Sequence, residues 1–524
     1  MFKKKMNLVI ASALVVSMLF TGCGAAKNEA DSKATSDKKV TSSESKEVKK
    51  DKKVETKVLK VFLGGDRKEG SDDVFAKANE MLEEKLPGVQ LDIQVLPYGE
   101  WQEKWKLLTA AGDQMDVAWI GWMLNYDLIS REGQLTPLED LIEKNAPKMK
   151  DMIPEFVFEK ATVDGHVYSV PNYQQMTEMR RGIRLYKDIA DKCVDVEALE
   201  AKFTSDLTFD ADDWAELEKY FAYAKENGLL QKGPSITLAW LAKNGYESIG
   251  NQDSPAAIRI GDKTCEVINP YKTEQYKTMI DTMADWYKKG YIREDILSVE
   301  KPRADEFVKG GNISWVHETH KGQSEKDTVR AAVGGNPVEL VVVPTADFQY
   351  IAPYGTPTNL AIPFTAKYPE EAIQVINLLN TDKEFYNLMV YGQEGVNYEK
   401  IDDNNIKVID PDLYGLAGWA TGNTMLAYQK EGAVEGWNEY LDDMHRKADK
   451  SYLMGFKANS EPYSTQLQQI ATVVKEYQFT LEYGAVGDGV QVKYDEFLEK
   501  LDRAGINEVI EGFQAQIDDF LANK

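Results

Sequence analysis

Short apolar runs alternate with segments of helical period between residues 58 and 120, and this alternation constrains the fold more than any other feature. Val58 to Leu63 is apolar, and the next segment repeats its apolar residues at helical spacing up to Leu86. A second apolar run, Leu91 to Leu96, precedes a helical segment from Trp101 to Ala111, and Val117 to Ile120 forms a third run. This order predicts a parallel sheet with helices on both faces, and ligands bind beyond the carboxyl ends of such strands.

The N-terminus has the features of a secretory signal. Lys3, Lys4 and Lys5 precede an apolar stretch from Leu8 to Phe20, which is shorter than the roughly 20 residues that span a bilayer. The stretch ends in Leu19-Phe-Thr-Gly-Cys23, which resembles a bacterial lipobox. The resemblance implies cleavage after Gly22 and a lipid on Cys23, although leucine is usual where Phe20 stands. An ordinary signal peptide with an incidental cysteine is the alternative.

The segment that follows the signal is polar. From Gly24 to Thr56 there is no leucine, isoleucine, methionine or aromatic residue, and such a composition cannot bury enough apolar surface to offset the entropy of ordering. We therefore predict a disordered linker over residues 23–56, attached to the membrane through the lipid.

Charge and cysteine content restrict the function further. The net charge is −24, and removal of residues 1–22 takes away three lysines and no acids, so it becomes −27. A nucleic-acid partner is disfavoured because such proteins carry basic patches. Besides Cys23 only Cys193 and Cys265 are present. The sequence leaves open a disulfide between them, but we expect both to be free and buried. We predict no metal site and no cofactor; the alternative is a Ca²⁺ site among the many carboxylates, although no twelve-residue calcium loop is recognisable.

Five motifs in order resemble the type-1 extracellular solute-binding proteins of bacterial ABC importers. The last 75 residues, 450–524, add three segments of helical period and resemble the subgroup with a helical C-terminal extension. The motifs lie at Trp105–Trp119 (with Ala-Ala-Gly-Asp inside it), Gly133–Leu141, Val163–Pro171, Glu306–Gly311 and Asn359–Ala372.

The resemblance implies an α/β fold of two lobes, each a mostly parallel sheet flanked by helices, with crossovers between them. We expect lobe 1 to comprise residues 57–175 and 358–410, and lobe 2 to comprise 176–357 and 411–524. The resemblance also implies that the protein is a monomer. It would capture an extracellular carbohydrate, an oligosaccharide, by hinge closure and deliver it to the permease subunits. The protein would be a lipoprotein on the outer side of a bacterial cell membrane, in a Gram-positive cell, and not an enzyme.

Aromatic rings match the C–H faces of sugars, and amide and carboxylate groups match their hydroxyls. Trp122 and Asn125 follow the third run and are our first candidates. Asp66 follows the first run, and Trp101 and Trp119 lie near strand ends, where one of the two could pack under the sheet. The resemblance adds Tyr173 and Gln174 after the first crossover, Asn359 at a second crossover, Trp240 in lobe 2, and Trp419 after the last crossover.

Three other functions fit parts of the sequence, and one of them is that of an adhesive or structural surface lipoprotein. The same architecture could bind an oligopeptide or another solute. A secreted glycan-active enzyme is less consistent with the sequence. With 86 acidic residues, a pair of carboxylates can lie close together by chance, and no loop typical of a glycoside hydrolase is recognisable. His317-Glu-Thr-His320 lacks the i, i+4 histidine spacing of a zinc protease helix.

Overall fold

The elements of the protein are given by a computed structural model. It describes residues 55–176, 182–229, 245–250, 254–298, 314–316, 329–333, 336–345, 350–353, 358–431, 433 and 435–524. The strands are β1 (Lys57–Gly64), β2 (Val89–Leu96), β3 (Val117–Gly121), β4 (Thr162–Val163), β5 (His166–Val167), β6 (Ser169–Pro171), β7 (Gly182–Tyr186), β8 (Tyr246–Ser248), β9 (Ala257–Arg259), β10 (Ser314–Val316), β11 (Val329–Val333), β12 (Asn336–Pro344), β13 (Tyr350–Ile351), β14 (Thr358–Ala361), β15 (Tyr398–Lys400), β16 (Asn405–Val408), β17 (Gln429–Lys430) and β18 (Asp449–Lys450).

Helices lie between and after these strands. They are α1 (Ser71–Lys85), α2 (Trp101–Ala111), α3 (Tyr126–Arg131), α4 (Glu139–Asn145), α5 (Met149–Met152), α6 (Glu155–Lys160), α7 (Lys187–Cys193), α8 (Val196–Phe203), α9 (Ala211–Glu226), α10 (Glu274–Lys288), α11 (Pro369–Thr381), α12 (Lys383–Tyr391), α13 (Trp437–Lys447), α14 (Ser464–Glu482), α15 (Val490–Arg503) and α16 (Ile506–Asn523). Within the described ranges, none of these helices is both long enough and apolar enough to cross a membrane.

The first sheet has the order β2-β1-β3-β14-β6. Strand β1 pairs in parallel with β2 and with β3, as the alternating sequence pattern predicts. Strand β14 runs antiparallel to β3 and to β6. It enters the first sheet after the chain has passed through the second sheet.

The second sheet has the order β10-β7-β12-β11, and its described pairings are all antiparallel. The expectation of a mostly parallel sheet in each lobe is therefore wrong for this one. One pairing has a local cause: β11 and β12 form a hairpin with Val333 opposite Asn336, and a connection of two residues can join only antiparallel strands. The other two pairings join β7 to β10 and to β12, which lie far along the chain. The two-lobed α/β architecture itself is confirmed by the solved structures that are compared below.

Two separate hydrophobic cores accompany the two sheets. The first includes the buried faces of β1 to β3, α1 and α11, and the second includes α9, α10 and the three C-terminal helices. Tyr414, Leu416 and Ala420 belong to the first core. Residues near 411–420, which the sequence assigned to lobe 2, thus pack with the first sheet, and we propose that lobe 1 includes them.

The three C-terminal helices form where the sequence predicts them, and they pack in the second core. The rings of Tyr477 in α14 and Phe497 in α15 stack with centroids 5.5 Å apart. The hydroxyl of Tyr494 in α15 donates to the backbone oxygen of Tyr271 at 2.8 Å. Cys193 and Cys265 are both free thiols; Cys265 is buried, whereas Cys193 is only half-buried.

A buried carboxylate connects distant segments of the first lobe. Asp116 is fully buried, and one of its oxygens accepts from the backbone nitrogens of Lys367 and Tyr368 at 2.7 and 3.0 Å. The other accepts from the backbone nitrogen of Lys60 at 2.8 Å and from Gln114 Nε2 at 2.6 Å. Asp116 thereby fixes β1 and the chain before α11 to the start of β3.

Replacing Asp116 by alanine is expected to lower the free energy of unfolding by about 3 kcal/mol. The change removes the acceptor of three part-buried backbone N–H groups, and an unsatisfied buried donor costs about 1–3 kcal/mol. Guanidinium unfolding measures the loss, and the matched control is Asp113→Ala, three residues earlier in an exposed position. Equal stability of the two variants would contradict this role.

Candidate functional site

Three aromatic side chains converge at one edge of the first sheet, and we call Tyr98, Trp122 and Trp419 the aromatic platform. The ring centroids of Tyr98 and Trp419 lie 5.5 Å apart in a stacked arrangement. The ring of Trp122 lies 5.4 Å from Tyr98 and 5.8 Å from Trp419. Trp122 is 60% exposed although its ring is large and apolar. The platform therefore offers aromatic surface to a molecule in solution.

The platform forms where two parallel strands end. Strand β3 ends at Gly121, directly before Trp122, and β1 ends at Gly64. A Cβ atom at Gly64 would lie 2.7 Å from the ring of Trp119, and one at Gly121 would lie 2.1 Å from it. The buried indole of Trp119 thus occupies space that only glycine leaves open at both positions, and it supports Tyr98 from below at 5.2 Å.

The sequence predicted that Trp101 and Trp119 contact the ligand, but both lie beneath the surface. Both are fully buried. Trp101 Nε1 donates to the backbone oxygen of Trp119 at 2.8 Å, and the two rings are 6.4 Å apart. Every residue of β3 is buried because a central strand is covered on both faces. These two tryptophans support the platform from inside the lobe.

Trp419 is held by polar groups of the crossover segments. It lies in a short 3-10 helix, Gly418–Ala420. Its backbone oxygen accepts from Thr358 Oγ1 at 2.7 Å and from Gln174 Nε2 at 3.1 Å. Gln174 and Asn172 also donate to Thr358 Oγ1, at 3.1 and 3.0 Å. The predicted residue Gln174 therefore positions Trp419 directly.

The other polar candidates lie at different depths. Asp66 is exposed and near Tyr98: burial, with the negative charge of Asp66, raises the pKa of Tyr98 to about 12. Asn125 is exposed, and its Oδ1 caps α3 by accepting from the nitrogen of Leu128 at 3.2 Å. Asn359 is buried in β14, and its Oδ1 has no partner among the described residues. Of these polar candidates, only Asp66 and Asn125 therefore lie at the surface.

Tyr173 is part of a buried network and not of the surface. It is fully buried, and its hydroxyl donates to Asp442 Oδ1 at 2.7 Å. His445 Nδ1 lies 3.2 Å from the same hydroxyl, and His445 Nε2 accepts from the backbone nitrogen of Met176 at 2.9 Å. Burial, followed by the hydrogen bond and charge of Asp442, raises the pKa of Tyr173 well above its usual range. The sequence predicted ligand contact for Tyr173. In the structure, Tyr173 instead connects the first crossover to α13.

Several predicted positions lie outside the described residues: Trp240, Cys23 and the His317–His320 motif. Sequence reasoning left Tyr98 out of the candidate list although it is a member of the platform. The sequence feature that could have identified Tyr98 is its position two residues after β2, next to Pro97, at the same sheet edge as Trp122. In the described part of the chain, no group of three or more histidine, cysteine, aspartate or glutamate side chains is arranged to hold a metal ion.

Two sheets with separate cores and a helical C-terminal extension give the chain a fold similar to that of solved two-lobed solute-binding proteins. Comparisons with known proteins support this classification. A family model described as a domain of unknown function (DUF3502) matches residues 452–522, which span the C-terminal helices.

Relatives of known name match most of the chain. A carbohydrate ABC transporter substrate-binding protein of Streptococcus pneumoniae is 25% identical over 472 residues, 89% of this chain and 91% of the relative. The fructooligosaccharide ABC transporter substrate-binding protein FusA of the same species is 22% identical, over 84% of this chain and 86% of the relative. The crystal structure of the N-glycan transport solute-binding protein NgtS from S. pneumoniae has a TM-score of 0.73 at 24% identity, covering 89% and 99% of the two chains. The chain is thus related to the solute-binding proteins of ABC transporters, as its motifs predicted.

Proposed function

We propose that this protein is the substrate-binding component of an ABC importer and captures an extracellular oligosaccharide between its two lobes. The observation that carries the proposal is the aromatic platform, in which Trp122 is 60% exposed beside Tyr98 and Trp419. The exposed part of this ring leaves aromatic surface free for a ligand at the end of a central strand. It is the kind of surface on which a sugar ring stacks.

The polar surroundings of the platform fit the same ligand. Asp66, near Tyr98, and Asn125, three residues after Trp122, are exposed and offer groups that accept hydrogen bonds from sugar hydroxyls or donate them to these hydroxyls. A site built to bond hydroxyls rejects molecules that lack them, since its own polar groups would remain unpaired. Apolar ring and polar rim together favour a carbohydrate over an apolar solute.

The named relatives point to the same class of ligand. NgtS has been solved in complex with Man1GlcNAc and with Man5GlcNAc, and FusA is named for fructooligosaccharides. These relatives are named as binding proteins and not as enzymes. We extend the ligand class, an oligosaccharide, to this chain, without a choice among sugars.

Capture by hinge closure and delivery to a permease complete the proposal. A ligand that contacts both lobes only when they are shut shifts the population toward the closed form. We propose that lobe 1 comprises residues 57–175 and 358–448 and that lobe 2 comprises 182–345 and 453–524. This division follows the two cores except at Met454, which packs in the first core. We also propose that a lipid on Cys23 and the linker over residues 23–56 hold a monomer at the outer face of the membrane.

Calorimetric titration of the purified protein with neutral oligosaccharides and with oligopeptides tests this function. We expect heat and a raised melting temperature with at least one oligosaccharide, because a ligand that binds only the native state stabilises it by mass action. Oligopeptides of similar size serve as the control and should give neither. Heat with peptides and none with any oligosaccharide would contradict the proposal and favour a peptide-binding protein of the same architecture.

A further inference from the structure

The end of strand β1 places a carboxylate at the edge of the aromatic platform. Asp66 lies two residues beyond Gly64, where β1 ends, and it is exposed. The backbone nitrogen of Gly65 donates to the backbone oxygen of Leu96 at 2.9 Å, which fixes this turn to the end of β2. A Cβ atom at Gly65 would lie 4.0 Å from the hydroxyl oxygen of Tyr98. The chain therefore passes the Tyr98 hydroxyl one residue before Asp66.

Neither polar group at this edge is engaged by the protein. Among the described residues, the carboxylate of Asp66 has no hydrogen-bond donor and no cation within ion-pair distance. The hydroxyl of Tyr98 likewise forms no hydrogen bond within the described ranges, and it is not fully buried. An ionised carboxylate, which only accepts hydrogen bonds, and a hydroxyl, which both donates and accepts, thus face a molecule that lies on the platform.

The two cations that follow Asp66 in the sequence are bonded to other groups. Arg67 forms an ion pair with Asp72 in α1. The ammonium of Lys68 donates to the backbone oxygen of Pro411 at 2.5 Å. Because neither cation pairs with Asp66, no neighbour in the described part of the chain neutralises its negative charge by contact.

The electrostatic environment of the Tyr98 hydroxyl reflects this charge. Burial, followed by the negative charge of Asp66, raises the pKa of Tyr98 to about 12. No cation among the described residues shifts this pKa in the opposite direction. A ligand on the platform therefore meets a negative potential at this edge.

An unpaired carboxylate distinguishes neutral ligands from anionic ones. Its two oxygens can accept hydrogen bonds from two sugar hydroxyls at once. Such charge-assisted hydrogen bonds are about twice as strong as those between neutral groups. A uronic acid at the same place brings a second carboxylate. The two groups repel each other, because both are negative and neither can donate a hydrogen bond.

We propose that Asp66 determines the specificity of the platform: its carboxylate binds hydroxyls of a neutral oligosaccharide and excludes oligosaccharides that carry carboxylates. The hydroxyl of Tyr98 supplies a second polar contact beside it. This inference names the class of ligand for the proposed site and rests on the proposed function, since it requires that an oligosaccharide stack on the platform.

Calorimetric titration with matched pairs of neutral and acidic oligosaccharides tests the role of Asp66. The probes are mannotriose, cellotriose and galactotriose, each paired with the form in which its primary alcohols are oxidised to carboxylates. The two members of a pair differ only in these groups. At a physiological ionic strength of about 0.15 M the screening length is about 8 Å, so distant charges of the protein contribute little to the comparison.

The variant Asp66→Asn is expected to remove most of the discrimination within a pair. We expect the wild type to bind at least one neutral trisaccharide at least about tenfold more tightly than its oxidised form. In Asp66→Asn the neutral member should bind about three- to tenfold more weakly, because an amide replaces a charged acceptor. The oxidised member should bind more tightly than it does to the wild type, so that the ratio of the two dissociation constants falls below about threefold.

Asp113→Asn is the matched control, since it changes the net charge by the same amount. Asp113 is also exposed, but it precedes β3, at the opposite end of this strand from Trp122. Both dissociation constants should equal those of the wild type, and both Asp→Asn variants should melt at the wild-type temperature. Tyr98→Phe separates the hydroxyl from the charge. It should weaken binding of the neutral member about two- to tenfold and preserve the preference for it.

Three results would overturn the role of Asp66. They are equal or tighter binding of the oxidised forms by the wild type, a preference for the neutral form that persists undiminished in Asp66→Asn, and loss of that preference in Asp113→Asn. Failure of the proposed function looks different, because no neutral or oxidised oligosaccharide would then give heat with the wild type or with any variant. The inference would fall with it.

Discussion

Replacing Trp122 by alanine is expected to weaken oligosaccharide binding by about thirtyfold or more, without unfolding the protein. The indole is 60% exposed and lies 5.4 to 5.8 Å from Tyr98, Trp119 and Trp419, so its outer face is the main apolar surface available to a sugar. Truncation of a central aromatic contact typically costs at least about 2 kcal/mol of binding free energy, which corresponds to this factor. Isothermal titration of wild type and variant with the same oligosaccharide measures it.

The matched control for Trp122→Ala is Phe479→Ala. Phe479 is a large aromatic residue, 44% exposed, on α14 of the C-terminal extension. Its removal should leave the dissociation constant unchanged. Equal affinity of wild type and Trp122→Ala would mean that the ligand binds elsewhere.

Replacing Gly121 by alanine is expected to destabilise the first lobe by about 1–3 kcal/mol and to weaken oligosaccharide binding together with it. The added Cβ would lie 2.1 Å from the ring of Trp119, which is fully buried and has no space into which it can move freely. Overpacking of this kind forces side chains from their rotamers at about that cost. Because Trp119 supports both Tyr98 and Trp122, its displacement also disturbs the platform.

Gly99→Ala provides the control for Gly121→Ala. Gly99 lies next to Tyr98, and a Cβ atom there would meet nothing within 4 Å. Thermal unfolding and oligosaccharide titration should therefore show little change in this variant. If Gly121→Ala melts and binds as the wild type does, the support that we assign to Trp119 is wrong.

Local signals made the first lobe predictable. Helix α2 was predicted from Trp101 to Ala111 and has these bounds, because Gly112 ends it in the left-handed conformation with φ of 69°. The strands β1 to β3 and the three C-terminal helices also follow from apolar periodicity, which depends only on neighbouring residues. Strand direction in the second sheet depends on which distant segments pair, and the sequence does not carry that information.

The site was predictable only in part, for a related reason. Trp122 could be assigned to the surface because it follows the end of a strand, whereas Trp119 lies inside a strand whose residues are all buried. In a central strand, alternation no longer distinguishes an inward from an outward side chain. Tyr173 was misplaced because its hydroxyl pairs with Asp442, 269 positions away. Such a pairing has no local signal.

A crystal structure of the protein grown with its tightest-binding oligosaccharide tests the central claim most directly. The account predicts a sugar ring stacked on Trp122, with its C–H face within about 4 Å of the indole, and hydroxyls bonded to side chains at the rim. It also predicts that the second lobe contacts the same sugar from the opposite side. An oligosaccharide bound away from Trp122, Tyr98 and Trp419, or held by one lobe alone, would contradict it.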